Sequence, residues 1–184
     1  MDNHNTYTPF LSSNRLYFTK ITSSHCTQNY LSWLHDKEVN LYLESGRYPE
    51  TLDSLLSFVN NAYTKEVLFL AIHKKEDNKH IGNIKIDGIN RLHSFAEYGI
   101  LMGDKSEWRK GFAKEASITI LNHCFNRLNI RKINLGVLNE NKGAIKLYEQ
   151  LGFKTEGCLK KHIFSNGEYK DVIRMAIFKS DLND

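Results

Sequence analysis

Two helical patterns bracket a short apolar strand in the second half of this chain, and that order limits the fold more than any other feature. Ala113, Ala116, Ile120, Leu121, Cys124 and Leu128 fall on one face of a 3.6-residue period and predict a long amphipathic helix. Residues 133–138 read as a strand. Asn141 then stands where a helix N-cap belongs. Ala144, Leu147, Tyr148 and Leu151 make the apolar face of a second helix, and Gly152 supplies its stop. With a strand at 95–102 ahead of them and strands at 153–159 and 172–178 behind, these elements call for a sheet with helices laid on it.

The first half adds helices and a meander. Residues 15–21 alternate as a first strand, and Thr22-Ser23-Ser24 suits a helix start before Tyr30, Leu31, Trp33 and Leu34. Residues 44–49 read as a loop. A second helix from about Thr51 carries Leu52, Leu55, Leu56 and Val59. Residues 67–73 and 80–87 form strands around a charged turn at 74–79, and 88–93 connect to the next strand. Ser165-Asn166-Gly167 marks a turn between the last two strands.

Only two prolines occur in 184 residues, and no Gly/Ser-rich or Pro-rich linker divides them. One domain is therefore expected over residues 15–184, after a short flexible start at 1–14. The net charge of +4 is too mild to call for nucleic acid. Three cysteines, Cys26, Cys124 and Cys158, match neither a zinc site nor a redox pair, and the histidines lack ligand spacing, so no metal is expected. The start shows no basic, apolar signal pattern, and the longest apolar run, 67–72, is far too short to span a bilayer. A cytoplasmic protein without membrane association is expected.

The segment from Glu107 to Lys114 leads from a strand into the long helix. The first turn of a helix has unpaired N–H groups and a positive dipole end, so a loop entering it suits a phosphate. Gly111 lets the backbone approach such a ligand, Ala113 keeps the next turn small, and Lys110 and Lys114 add charge at the rim. The same glycine also suits a plain helix start after a turn. Tyr148, two turns after Asn141, shares its face and can donate a proton, or can be a core aromatic with a satisfied hydroxyl. Glu97 is a carboxylate in an apolar strand. It can take a proton, bind a cation or face solvent in an ion pair. His93, four residues earlier, is a second candidate base or an exposed loop residue.

Lys110-Gly111-Phe112-Ala113-Lys114-Glu115-Ala116 resembles motif A of the GNAT acetyltransferases, whose pattern is Q/R-x-x-G-x-G/A, with Trp108 in place of its first residue. Asn141, Ala144, Leu147, Tyr148, Glu149, Gly152 and Phe153 resemble that family's N-x-x-A-x-x-L-Y-E-x-x-G-F signature. The aromatic Trp108 and the basic hairpin after Gly157 are similar to the ribosomal-protein N-terminal and spermidine acetyltransferase subgroup. The resemblance implies an α/β (α+β) fold: a single GNAT-like domain whose mixed central sheet holds a splayed pair of strands and is flanked by helices. It implies acetyl-CoA as cosubstrate, with its pyrophosphate on Arg109, Lys110, Gly111, Phe112, Ala113 and Lys114. It implies that Asn141 and Ala144 meet the CoA arm and that Tyr148 protonates its sulfur. A bulge in the strand holding Ile100, Leu101 and Met102 would free their backbone groups for the pantetheine and the thioester carbonyl.

The implied activity is acetyl transfer to a primary amine. An amino-sugar nucleotide is placed first, a protein N-terminus second and a polyamine third, with a non-catalytic CoA-binding module as the rival from another class. The resemblance also implies a possible homodimer.

Overall fold

Period-two alternation in the early strands sorts the core into two layers. The structure, a computed structural model, describes residues 9–62 and 66–183. The strands are β1 (Leu11–Ser12), β2 (Leu16–Lys20), β3 (Leu68–Lys74), β4 (His80–Asn90), β5 (Phe95–Met102), β6 (Lys132–Leu138), β7 (Lys154–Ser165) and β8 (Glu168–Phe178). They form one sheet in the order β1-β2-β3-β4-β5-β6-β8-β7. Only β5 and β6 run parallel; every other neighbouring pair is antiparallel.

Leu16 and Phe18 of β2, with Leu70 and Ile72 of β3, point to one face. There they meet α4 (Phe112–Arg127) and α5 (Lys142–Leu151) through Ala116, Ile120, Leu121 and Leu151. Ile21 and Phe69 point to the other face. They meet α1 (Gln28–His35), α2 (Lys37–Asn40) and α3 (Leu52–Ala62) through Tyr30, Leu31, Trp33, Val39, Leu55 and Val59. Two helices thus cover each side of the splayable region, and α2 is added on the second side.

Three elements depart from the sequence reading. Leu11–Ser12, expected in a flexible start, pair with Phe18 and Tyr17 of β2; residues 1–8 lie outside the described residues. The helix α2 is nucleated by Asp36, whose carboxylate accepts the Glu38 and Val39 N–H groups. The hairpin of β7 and β8 runs to Ser165 and Glu168, longer than expected. Its two-residue turn, Asn166-Gly167, has φ of 51° and 83°, the left-handed pair that matches strand twist. Nearly all of β7 is exposed, so no apolar alternation marks how far it runs.

A polar knot joins the short turn ahead of α1 to the sheet. The rings of His25, His73 and His80 lie 5.4, 5.2 and 5.4 Å apart, and Thr19 Oγ1 is 3.2 Å from Nε2 of both His25 and His73. Burial first, then the neighbouring rings, lowers His25 and His73 from 6.5 to about 4. The folded protein therefore binds fewer protons than the unfolded chain between pH 6.5 and about 4. Stability is full above that window and falls as pH drops through it. Thermal melts across the window test this; a flat melting temperature would exclude the cluster from the acid response.

Candidate active site

β5 and β6 pair only at Phe95↔Lys132, Ala96↔Ile133 and Glu97↔Asn134. β5 continues to Met102 and β6 to Leu138, so the strands part beyond Glu97 and the sheet opens. A cleft of about 1190 Å³ occupies the opening, lined by Tyr98 to Met102 on one side and Gly136 to Leu138 on the other. The bulge expected in β5 is absent. β5 keeps continuous register with β4 from Glu97 to Met102, and the extra residue lies in β4 between Asp87 and Asn90.

Two sets of bonds reveal the phase of β5. The Gly103 N–H donates to the Ile81 carbonyl at 3.0 Å, while Arg131 and Lys132 donate to the Ser94 carbonyl at 2.7 and 3.1 Å. Alternation then turns the backbone groups of Leu101 and Gly99 towards β4, and those of Tyr98, Ile100 and Met102 towards the gap. Leu101 lines the cleft, but its backbone groups belong to the β4 ladder, contrary to expectation. The Met102 carbonyl accepts the Trp108 indole N–H at 2.8 Å. Ile100 presents an N–H with no ladder partner across the gap.

The loop into α4 leaves a row of backbone N–H groups open. Arg109 has φ 62° and Gly111 φ 82°, both left-handed. The first intrahelical bond runs from the Glu115 N–H to the Gly111 carbonyl, so the N–H groups ahead of Glu115 lack helical acceptors. Gly111, Phe112, Ala113 and Lys114 line the cleft there, together with Arg109. Lys114 has no ion-pair partner among the described residues. Lys110 is turned away: its ammonium meets buried Glu107 at 3.0 Å, and it does not line the cleft. Arg15 braces the loop from behind. It donates to the Lys110 carbonyl at 3.0 Å and to Glu115 at 2.7 Å, and its guanidinium lies 4.4 Å above the Phe112 ring.

Across the gap, the Asn141 Oδ1 accepts the Ala144 N–H at 3.1 Å and caps α5, leaving its amide N–H groups on the cleft wall. Tyr148, two turns on, is buried yet also lines the cleft. Its ring packs against Tyr98 and Phe153 at 6.0 and 5.7 Å. The Tyr98 hydroxyl is consumed by Ser117 at 2.7 Å. The Tyr148 hydroxyl has no hydrogen-bond partner among the described residues. Burial pushes its phenol up to about 12, so it stays protonated.

A splayed parallel pair, a phosphate-ready helix start and a free buried tyrosine on the facing helix agree with the comparisons. The family described as "Acetyltransferase (GNAT) domain" matches residues 15–154. The chain belongs to the GNAT acetyltransferase family. Spermidine N(1)-acetyltransferase of Vibrio cholerae is 41% identical over 100 residues, which are 54% of this chain and 57% of that relative. Its counterpart in Escherichia coli is 37% identical over 103 residues, 56% and 55% of the two chains. The match thus spans little more than half of each relative. An uncharacterised N-acetyltransferase of Bacillus subtilis is 32% identical over 148 residues, covering 79% and 81%. The crystal structure of the V. cholerae spermidine N-acetyltransferase with CoA and spermine superposes with a TM-score of 0.83, at 28% identity over 92% of this chain and 98% of that one.

GNAT enzymes use acetyl-CoA, and the residues present fit it. Open N–H groups at α4 suit its pyrophosphate, and the gap-facing backbone of β5 suits its extended arm. Of the candidate site residues read from the sequence and from the resemblance, all but Lys110, Glu97 and His93 line this cleft. Glu97 instead marks its vertex. It is the last β5 residue paired with β6, and its carboxylate accepts Arg174 Nη2 at 2.6 Å. The ion pair ties β5 to β8 and its Arg174 partner lines the cleft, so Glu97 takes the ion-paired form that its sequence reading allowed. His93 is exposed, stacks on Phe95 and also lies off the cleft.

A second pocket of about 300 Å³ adjoins the cleft at Leu43, Gly99, Ile100 and Leu101. Its walls are mostly apolar, with Tyr30, Leu34, Leu55, Phe58 and Phe69, and its polar groups include Glu50 and Asn83. Sequence reasoning singled out neither Arg15 nor Arg174, because their partners Glu115 and Glu97 lie far along the chain. No helix among the described residues is long and apolar enough to cross a membrane.

Proposed function

We propose that this chain transfers the acetyl group of acetyl-CoA to a primary amine of a polyamine-like small molecule. Glu50 carries this reading. It lines the apolar side pocket, accepts the Ser54 hydroxyl at 2.6 Å, and has no cationic partner among the described residues. A carboxylate among aromatic and aliphatic walls calls for a counter-charge. An ammonium group at the end of a methylene chain supplies one and lays its carbons on Phe58 and Phe69. The spermidine acetyltransferases among the relatives support the same class. We therefore put a polyamine ahead of the amino-sugar nucleotide expected from sequence.

Acetyl-CoA supplies an activated thioester. The amine reaches it neutral, a form that apolar walls favour. The Ile100 N–H donates to the carbonyl oxygen as charge develops there. As the new C–N bond forms and the C–S bond breaks, Tyr148 gives its proton to the sulfur and the amine releases one to water. Gly111 to Lys114 hold the pyrophosphate and so fix the thioester against β5.

Glu50→Gln is expected to raise the KM for spermidine about tenfold or more while kcat changes little, because a charge-assisted contact is lost. An unchanged KM would remove Glu50 from the acceptor site. Absence of thiol release with spermidine, spermine and putrescine would end the polyamine reading.

A further inference from the structure

We propose that Trp108 is a positioning residue: its indole N–H sets the phosphate-binding loop against β5, and so places the thioester carbonyl of acetyl-CoA at the Ile100 N–H. The inference deepens the proposed chemistry and rests on Ile100 as the donor. It does not depend on which amine is acetylated.

In that chemistry acetyl-CoA is gripped at two places that belong to different elements. Its pyrophosphate goes to the open N–H groups at Gly111 to Lys114, and its reacting carbonyl to the gap-facing backbone of β5. Both sets of residues line the same cleft. They are separated by the connection 103–110, which follows the end of β5 at Met102. Most anchors of this connection lead elsewhere. The Gly103 and Asp104 N–H groups donate to the Ile81 carbonyl of β4 at 3.0 and 3.1 Å. Asp104 meets Lys79 at 2.5 Å, and Glu107 meets Lys74 of β3 at 3.2 Å. Trp108 leads back to β5. Its Nε1–H donates to the Met102 carbonyl at 2.8 Å, and its backbone adjoins Arg109, whose left-handed φ of 62° opens the turn into α4.

The Met102 carbonyl faces the gap, where β6 has parted from β5, so no strand pairs with it there. The indole takes that place. The ring is fixed in turn, because Trp108 packs half-buried against the core cluster that holds Trp33 and Phe69. A phenyl ring would serve for packing alone; the N–H is what reaches the strand. From Met102 to Ile100 the strand stays paired with β4, at Gly82 and Ile84, over about 7 Å. The loop is thus set against the Ile100 N–H through one hydrogen bond and a short stretch of paired strand. Misplacing a reacting group by about 1 Å is enough to lose about 10²-fold in rate.

The test compares the wild-type protein with Trp108→Phe, which keeps an aromatic ring in the core and removes the N–H. The calorimetric Kd for CoA is expected to stay within about threefold, since the loop N–H groups and the β5 backbone both survive. Turnover of spermidine at saturating acetyl-CoA should fall about tenfold or more, from misplacement alone. A readout that needs no acceptor is the NMR resonance of the carbonyl carbon in bound, isotope-labelled acetyl-CoA. In the wild type it should lie downfield of the free thioester, as a hydrogen-bonded carbonyl does, and in the variant it should return towards the free position. A resonance that is the same in both proteins overturns the proposal, as does unchanged turnover of an accepted amine. Loss of CoA affinity in step with turnover would make Trp108 merely structural and overturns it too. If the variant does not fold, replacement of Trp108 by benzothienylalanine, with sulfur in place of the N–H in the same ring outline, carries the same expectations. If the wild type leaves spermidine unacetylated, the polyamine reading fails by itself, and the bound carbonyl resonance still decides the role of Trp108.

Discussion

Replacing Tyr148 with phenylalanine is expected to lower turnover about 10²–10⁴-fold while leaving the fold and acetyl-CoA binding intact. The prediction comes from what the hydroxyl does not do. Tyr98, its neighbour, uses its hydroxyl to bond Ser117 inside the core, whereas the Tyr148 hydroxyl bonds no described residue and faces the cleft. A phenylalanine ring keeps the edge contact with Tyr98 and the contact with Phe153, so packing survives. Only the proton donor is lost. The measurement is thiol release under saturating acetyl-CoA, beside a thermal melt. A variant with wild-type turnover would take Tyr148 out of the mechanism. A variant that melts much earlier would show the hydroxyl to be structural.

Gly111→Val should act on the other substrate. Gly111 holds φ 82°, a conformation that L-residues adopt at a penalty of about 1–2 kcal/mol. Its added Cβ would face no backbone clash, since the nearest atom is the Arg15 side chain at 3.5 Å. The loop therefore has a choice between strain and shifting, and either outcome displaces the N–H groups proposed to hold the pyrophosphate. Hydrogen bonds to charged groups are worth about 1.5–3 kcal/mol each, so losing one or two raises the KM for acetyl-CoA on the order of 10²-fold. Turnover at saturation should fall far less. An unchanged KM would mean that the phosphates are held elsewhere.

These two positions were legible in the sequence because their signals are local. Gly111 sits between a strand and a helical period, and Asn141, Tyr148 and Gly152 mark the start, face and end of one helix. The role of Glu97 stayed open in the sequence for the opposite reason. Glu97 looks available along its own strand, but Arg174, 77 residues away, holds it at the vertex of the gap. Lys110 was read as rim charge from its neighbourhood in the loop, yet Glu107, itself anchored by Lys74 of β3 at 3.2 Å, turns it back. The departure at Trp108 carried information of a different kind. Its indole bonds the Met102 carbonyl and ties the end of β5 to the phosphate loop.

The sequence alone determined most of the helices, their caps, the hairpin turn and the open N–H groups at the start of α4, since each depends on residues within a turn or two of one another. It also determined the family, through two motifs whose spacing is kept. Tertiary structure alone decided which backbone groups face the cleft. A one-residue change in the phase of β5 would exchange Ile100 for Leu101, and only pairing with β4 and β6 selects between them. It decided as well that Glu97 meets Arg174, because β5 and β8 come together only once β6 is folded between them in the sheet.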